Sequence, residues 1–138
     1  MSSELWQYSA MELAKMIRSK DVTSEEVVED HLKRIEEVNP KLNAITAVLE
    51  ESALSEARRA DQTEPLGPLH GVPFTVKENI DLFGTPTTSG IPAGAELMPS
   101  ADAPVVKRMK NAGAIPVGRT NLPELGLRID TDNPLRGR

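Results

Sequence analysis

Residues 66–81, LGPLHGVPFTVKENID, carry an alternating apolar run straight into a lysine, and the architecture follows from that run. Val72, Phe74 and Val76 alternate with Pro73, Thr75 and Lys77. A period of two is strand periodicity, so Lys77 lies on the Thr75 face at the C-terminal end of the strand. In open α/β sheets that end is where ligands and chemistry collect. A lysine held there away from water loses part of its preference for the charged form, and this turns an ammonium into a usable proton acceptor. The only charge partner beside it in sequence is Glu78. The competing reading of Lys-Glu after a strand is a solvated turn.

Downstream of this strand, residues 81–100 contain Gly84, Pro86, Gly90, Pro92, Gly94 and Pro99. That density rules out a regular element of any length, and so long a loop is either functional or a linker. Asp102 is placed to cap a helix, with Pro104 in its first turn, Val105, Met109 and Ala112 on one face, and Gly113 closing it in a left-handed conformation. Residues 114–118 then read as a second buried strand. Strand, loop, helix, strand is a βαβ-like crossover, which favours a parallel pair and a right-handed connection. Asn121 is placed to cap a short helix through Leu127, and IDTDNPLRGR, residues 129–138, reads as a turn-rich tail.

Upstream, Ser9 with Glu12 and Thr23 with Glu26 each form a capping-box pattern. The first predicts a helix ending near Lys20. The second predicts a helix over 24–38, stopped by Asn39-Pro40. Residues 43–49 read as a short β-branched strand and 51–61 as a helix with Leu54 and Ala57 facing inward. Residues 1–65 are thus expected to form a helical segment and 66–138 the start of a layered core. Three strands with helices on either side make an α/β layered fold the expected class. Parallel strands need both faces covered and a neighbour at each edge, so the fold is expected to be incomplete as given.

Composition narrows the functions. The 138 residues fit one domain, and 38% hydrophobic content supports a modest core. Residues 1–67 hold 14 acidic against 8 basic side chains, while residues 68–138 hold 7 against 8. With no clustered basic surface and only four aromatics, Trp6, Tyr8, Phe74 and Phe83, nucleic acid is not an expected partner. There is no cysteine, and the two histidines stand far apart in sequence, so no metal site is expected. The N-terminal MSSELWQYSAMEL contains no apolar run suited to a leader or a membrane span, which makes a soluble, cytoplasmic protein the expectation. No glycine pair has G-x-G spacing, and neither S-x-x-K nor G-x-S-x-G occurs. His31 is expected on a half-buried helix surface, His70 as a backbone-bonded structural residue, and Met11 and Met16 as helix-packing residues.

GPLHGVPFTVKENI, the TPTTSG of residues 85–90 and the DAPVVKRMKNAGAIPVGRTNLPELG of residues 102–126 together resemble the N-terminal portion of the amidase signature family. The resemblance implies an α/β/α layered fold with a mixed, partly parallel sheet. It also implies an enzyme that hydrolyses carboxamides or transfers ammonia from them, through a triad of lysine, a serine in a cis peptide and a nucleophilic serine. The lysine of the family's G-[IV]-P-x-x-[VI]-K-[DE]-N block falls on Lys77, as the base. The two serines belong to a Gly/Ser-rich segment with no counterpart in residues 1–138, so this chain is expected to supply only the lysine and to be a piece of something larger. No cofactor is implied. The loop carrying Thr87, Thr88 and Ser89 lies near the acyl site in such proteins and is expected to bind substrate, a small-molecule amide. IDTDNPLRGR stands where tRNA-linked amidotransferase subunits carry a serine- and asparagine-rich stretch, which leans toward a general amidase. The contrasting reading is a noncatalytic fragment, or a subunit completed by a second polypeptide.

Overall fold

A computed structural model describes residues 4–138. Helix α1, Ala10–Ser19, and helix α2, Ser24–Leu42, both open on the expected capping boxes: each N-cap hydroxyl accepts from the N3 backbone, and the N3 glutamate accepts in return. Each such cap stabilises by about 1 kcal/mol. Lys20, at φ 61°, closes α1 where the sequence predicts. Helix α2, in contrast, runs four residues beyond the expected stop at Val38 and holds Pro40 inside it. The cause is tertiary. Asn39 donates through Nδ2 to the Ile45 carbonyl and accepts the Ile45 N–H at Oδ1, both at 2.8 Å. The Asn43 N–H reaches the Asn39 carbonyl at 2.8 Å. Holding the last turn from outside outweighs the roughly 3 kcal/mol that an interior proline costs.

Strand β1, Ile45–Val48, is followed by helix α3, Glu50–Asp61, whose last residue caps its neighbour: the Asp61 carboxylate accepts from Ser24 N at 2.6 Å and Glu25 N at 3.0 Å. An anion at the start of α2 complements its dipole. Strand β2, Pro73–Lys77, helix α4, Pro104–Asn111, and strand β3, Ile115–Thr120, complete the order. The sheet is β1-β3-β2, with β2 parallel and β1 antiparallel to the central β3, so it is mixed as expected. Val28, Leu32, Ala53 and Ala57 of α2 and α3 bury Ile115 and Val117 of β3. Leu13, Ile17 and Val27 cover Val72, and Val106 of α4 packs on Val76 and Leu82.

Several local expectations are corrected. Val106 is the buried valine of α4, and Val105 is exposed. Asp102 does not cap α4, whose N-cap is Ala103; its carboxylate accepts instead from Phe83 N at 2.8 Å and Lys110 Nζ at 2.9 Å. Asn121 starts no helix; a 3-10 turn over Glu124–Gly126 follows Pro123. Met11 is 83% exposed, so only Met16 packs. Nor does the C-terminal stretch trail away. Asn43 Nδ2 donates to the Arg136 carbonyl at 2.8 Å, and the buried Asn133 donates to Asn121 Oδ1 at 2.7 Å and to the Leu122 carbonyl at 2.8 Å. Among the described residues no helix is long and apolar enough to cross a membrane.

Candidate active site

Lys77 is the last residue of β2, and its side chain is exposed. None of the ion pairs among the described residues uses it. The glutamate beside it in sequence goes elsewhere. Alternation turns Glu78 to the opposite face, where it is 1% exposed, so the solvated-turn reading fails for this residue. Its carboxylate accepts from Thr46 Oγ1 at 2.6 Å, from Thr88 Oγ1, and from Arg136 Nη2 at 2.8 Å and Nε at 3.3 Å. The Glu78 N–H extends the parallel ladder to the Thr120 carbonyl at 3.0 Å, and the Glu78 carbonyl accepts from Ser89 N at 3.1 Å.

A second buried charge lies close by. Val76 and Arg119 are register partners across the β2–β3 ladder, and both strand pairings of β3 shift register near this point. Such irregularities re-aim side chains. Arg119 is 1% exposed and clamps the start of the following loop, donating from Nη1 to the Ile80 carbonyl at 2.9 Å and from Nη2 to the Pro86 carbonyl at 3.2 Å. Burial pushes its guanidinium pKa down, opposed by the charges of Glu78 and Asp81.

In the loop itself, Thr87 donates through Oγ1 to Asp81 Oδ1 at 2.7 Å. Thr88 is fully buried; its hydroxyl donates to Glu78 and accepts the Gly90 N–H at 3.1 Å. Ser89 takes φ 50°, and its carbonyl accepts from Leu125 N at 2.8 Å. The structure therefore gathers the loop residues on Glu78 and Asp81 at the end of β2. His70 lies before the other end of that strand. Its Nδ1 accepts the Leu66 N–H at 3.2 Å, which leaves the proton on Nε2 for the Ala60 carbonyl at 3.0 Å, the structural role expected of it. Half-buried His31 meets the Val27 carbonyl at 2.7 Å through Nδ1.

Sequence reasoning missed Glu78, Arg119 and Arg136. A signal for the first was present: alternation that puts Lys77 outward puts Glu78 inward with Val76, and a buried carboxylate demands a cation and donors. Burial pushes the Glu78 carboxyl up, but the hydrogen bonds from Arg136, Thr46 and Thr88, together with the Arg136 charge, outweigh burial and hold it below its ordinary value of 4.5. A carboxyl whose pKa is lower folded than unfolded adds stability that is complete above the unfolded value and lost as pH falls through the folded one. Thermal melts of wild type and Glu78→Gln should therefore differ most at neutral pH and converge below about pH 4.5. A gap that stays constant to pH 3 would mean the carboxylate charge contributes nothing.

Known proteins share this arrangement of chain. The family model described as Amidase matches residues 26–138. Indoleacetamide hydrolase of Bradyrhizobium diazoefficiens is 47% identical over 137 residues, covering 96% of this chain and 26% of that protein. A glutamyl-tRNA(Gln) amidotransferase subunit from Acidothermus cellulolyticus is 38% identical over 139 residues, covering 98% and 28%. Among solved structures, a fatty acid amide hydrolase superposes with a TM-score of 0.91 at 25% identity, covering 96% of this chain and 24% of its own. The chain spans about a quarter of the length of the curated relatives it matches.

Proposed function

The chain belongs to the amidase family, and from that premise we propose that Lys77 is the general base of an enzyme that hydrolyses the C–N bond of a small-molecule carboxamide. The observation that carries this is the divergence of Lys77 and Glu78: among the described residues no ion pair uses the amine, which stands at the carboxyl end of a parallel strand, while the adjacent carboxylate is buried on the other face and neutralised by Arg136. With Glu78 paired to Arg136, the carboxylate next to Lys77 in sequence is already engaged and is no partner for the amine. The two serines of the family's triad match no position in residues 1–138, so in this reading they come from a segment or a second polypeptide outside them.

Neutral Lys77 accepts a proton from the first serine, which accepts one from the nucleophilic serine as that oxygen bonds to the amide carbon. Backbone N–H groups hold the oxyanion. The C–N bond then breaks, Lys77 returns the proton through the first serine to the departing nitrogen, and water releases the acid from the acyl-enzyme. No step calls for a cofactor. Thr87 and Ser89 bound the acyl side of the site, and Thr88 supports it from beneath through Glu78.

Nucleophile and base act as one unit, so residues 1–138 alone should show only background amide turnover and no labelling by a fluorophosphonate. The completed enzyme should be labelled once, at a serine outside these residues. Mass spectrometry of the labelled protein decides the matter, and stoichiometric modification of any serine within 1–138 would overturn the assignment.

A further inference from the structure

We propose that Glu78 is a positioning residue for Lys77, tying the end of β2 to four other parts of the chain and thereby fixing where the base stands. The proposal rests on the reading of Lys77 as base. One residue makes all the ties. Its carboxylate holds Thr46 of β1, Thr88 of the 81–100 loop and Arg136 of the C-terminal stretch. Its peptide groups hold Thr120 of β3 and Ser89 of the loop. Because Glu78 lies on the face opposite Lys77, it touches no reacting atom and acts only through the backbone it shares with its neighbour.

The chemistry of the site argues for geometry over stability. A buried carboxylate and its partner are often no more stabilising than apolar side chains of the same volume, because both charges must leave water. A hydrophobic residue here could pack between β2 and the loop but could not bind three donors from three segments at once. What the ion pair adds is direction: the Arg136 guanidinium meets both carboxylate oxygens, through Nη2 at 2.8 Å and Nε at 3.3 Å, which sets the angle at which residues 133–138 cross the sheet end. Asn43 and Asn121 fasten the same stretch at the Arg136 and Gly137 carbonyls, so the pair is the charged member of a wider fastening. A base has to be held to within about 0.5 Å of its productive position, and a shift of about 1 Å costs on the order of 10²-fold in rate.

The test uses the completed enzyme with Glu78→Gln, Arg136→Met, the double variant, and Arg136→Lys as the mildest change in case the others fold poorly. Active sites are first counted with a fluorophosphonate, and the acylation rate is expressed per counted site. Glu78→Gln and Arg136→Met should each lower that rate about 10- to 100-fold with KM for the amide nearly unchanged. The double variant should be no slower than the slower single, since both break one unit. Arg136→Lys, which keeps the charge but loses the two-point contact, should fall between wild type and Arg136→Met. Amide hydrogen exchange should quicken at Ser89 and Arg136 in Glu78→Gln and stay unchanged in α3. A drop in the number of counted sites with a wild-type rate at each would overturn the proposal and make Glu78 merely structural. Wild-type turnover in Lys77→Ala would overturn the base on which it rests, and the exchange measurement separates that failure from a failure of the tie itself.

Discussion

Replacing Lys77 by alanine in the completed enzyme lowers the acylation rate by about 10²–10⁴-fold, the usual size of a general-base contribution. Folding should survive, because the side chain is exposed and none of the ion pairs among the described residues uses it. Lys77→Arg should rescue poorly, since a guanidinium stays protonated and cannot accept the serine proton. Single-turnover acylation together with a thermal melt separates the two effects. Near-wild-type turnover in both substitutions would return Lys77 to a solvated strand end and leave the family likeness without a role for this lysine.

The second large effect is on stability, at Gly113. This residue has φ 91° between α4 and β3, and its carbonyl accepts the Gly71 N–H at 2.9 Å. A Cβ built there would lie 2.6 Å from His70 Cα and 3.0 Å from His70 N. These are backbone atoms of a residue whose ring is fastened to Leu66 and Ala60, so they cannot easily move aside. Gly113→Ala should therefore cost about 1–2 kcal/mol for the left-handed backbone and about 1–3 more for the overlap. Gly84 provides the control: its φ of 85° is nearly the same, and no atom of the described residues lies within 4 Å of its Cβ position. Gly84→Ala should lose only the backbone part, about 1–2 kcal/mol. Denaturant midpoints at constant m-value measure the difference, and equal losses would show that the His70 backbone gives way.

How much of this was legible in the sequence follows from how far apart the interacting residues stand. Ser9 with Glu12 and Thr23 with Glu26 are three residues apart, and both helix starts are where the sequence puts them. The parallel β2–β3 pair and the left-handed Gly113 follow from local punctuation around one crossover. The end of α2 could not be read that way, because Asn39 is held by Ile45 and no local rule weighs that against Pro40. The eight residues of α4 offer too few turns for its period to decide between Val105 and Val106. Alternation put Lys77 at the end of a strand, where it stands, whereas the expectation for Thr87, Thr88 and Ser89 came from the family resemblance and from no local rule. Arg136 and Glu78 are 58 residues apart, and only the folded sheet brings them together. The register shift that turns Arg119 inward has one mark in IPVGRT, the isolated Gly118, which signals a bulge but not which side chain it re-aims.

The order β1-β3-β2 also bears on synthesis. Neither outer strand pairs with the other, and both need β3, the last to be made. Roughly 70 residues separate the end of β1 from the end of β3, so at ~5–20 residues per second the first strand waits about 4–14 s on the ribosome for its partner. Over that interval α1, α2 and α3 can form from local contacts, but no ladder can. Val72 and Val76 emerge with their strand's hydrogen-bonding groups unpaired, and Leu13, Ile17 and Val27, already translated, are the apolar cover available to Val72. The helical N-terminus is thus also the first shelter of the nascent strand that carries the lysine.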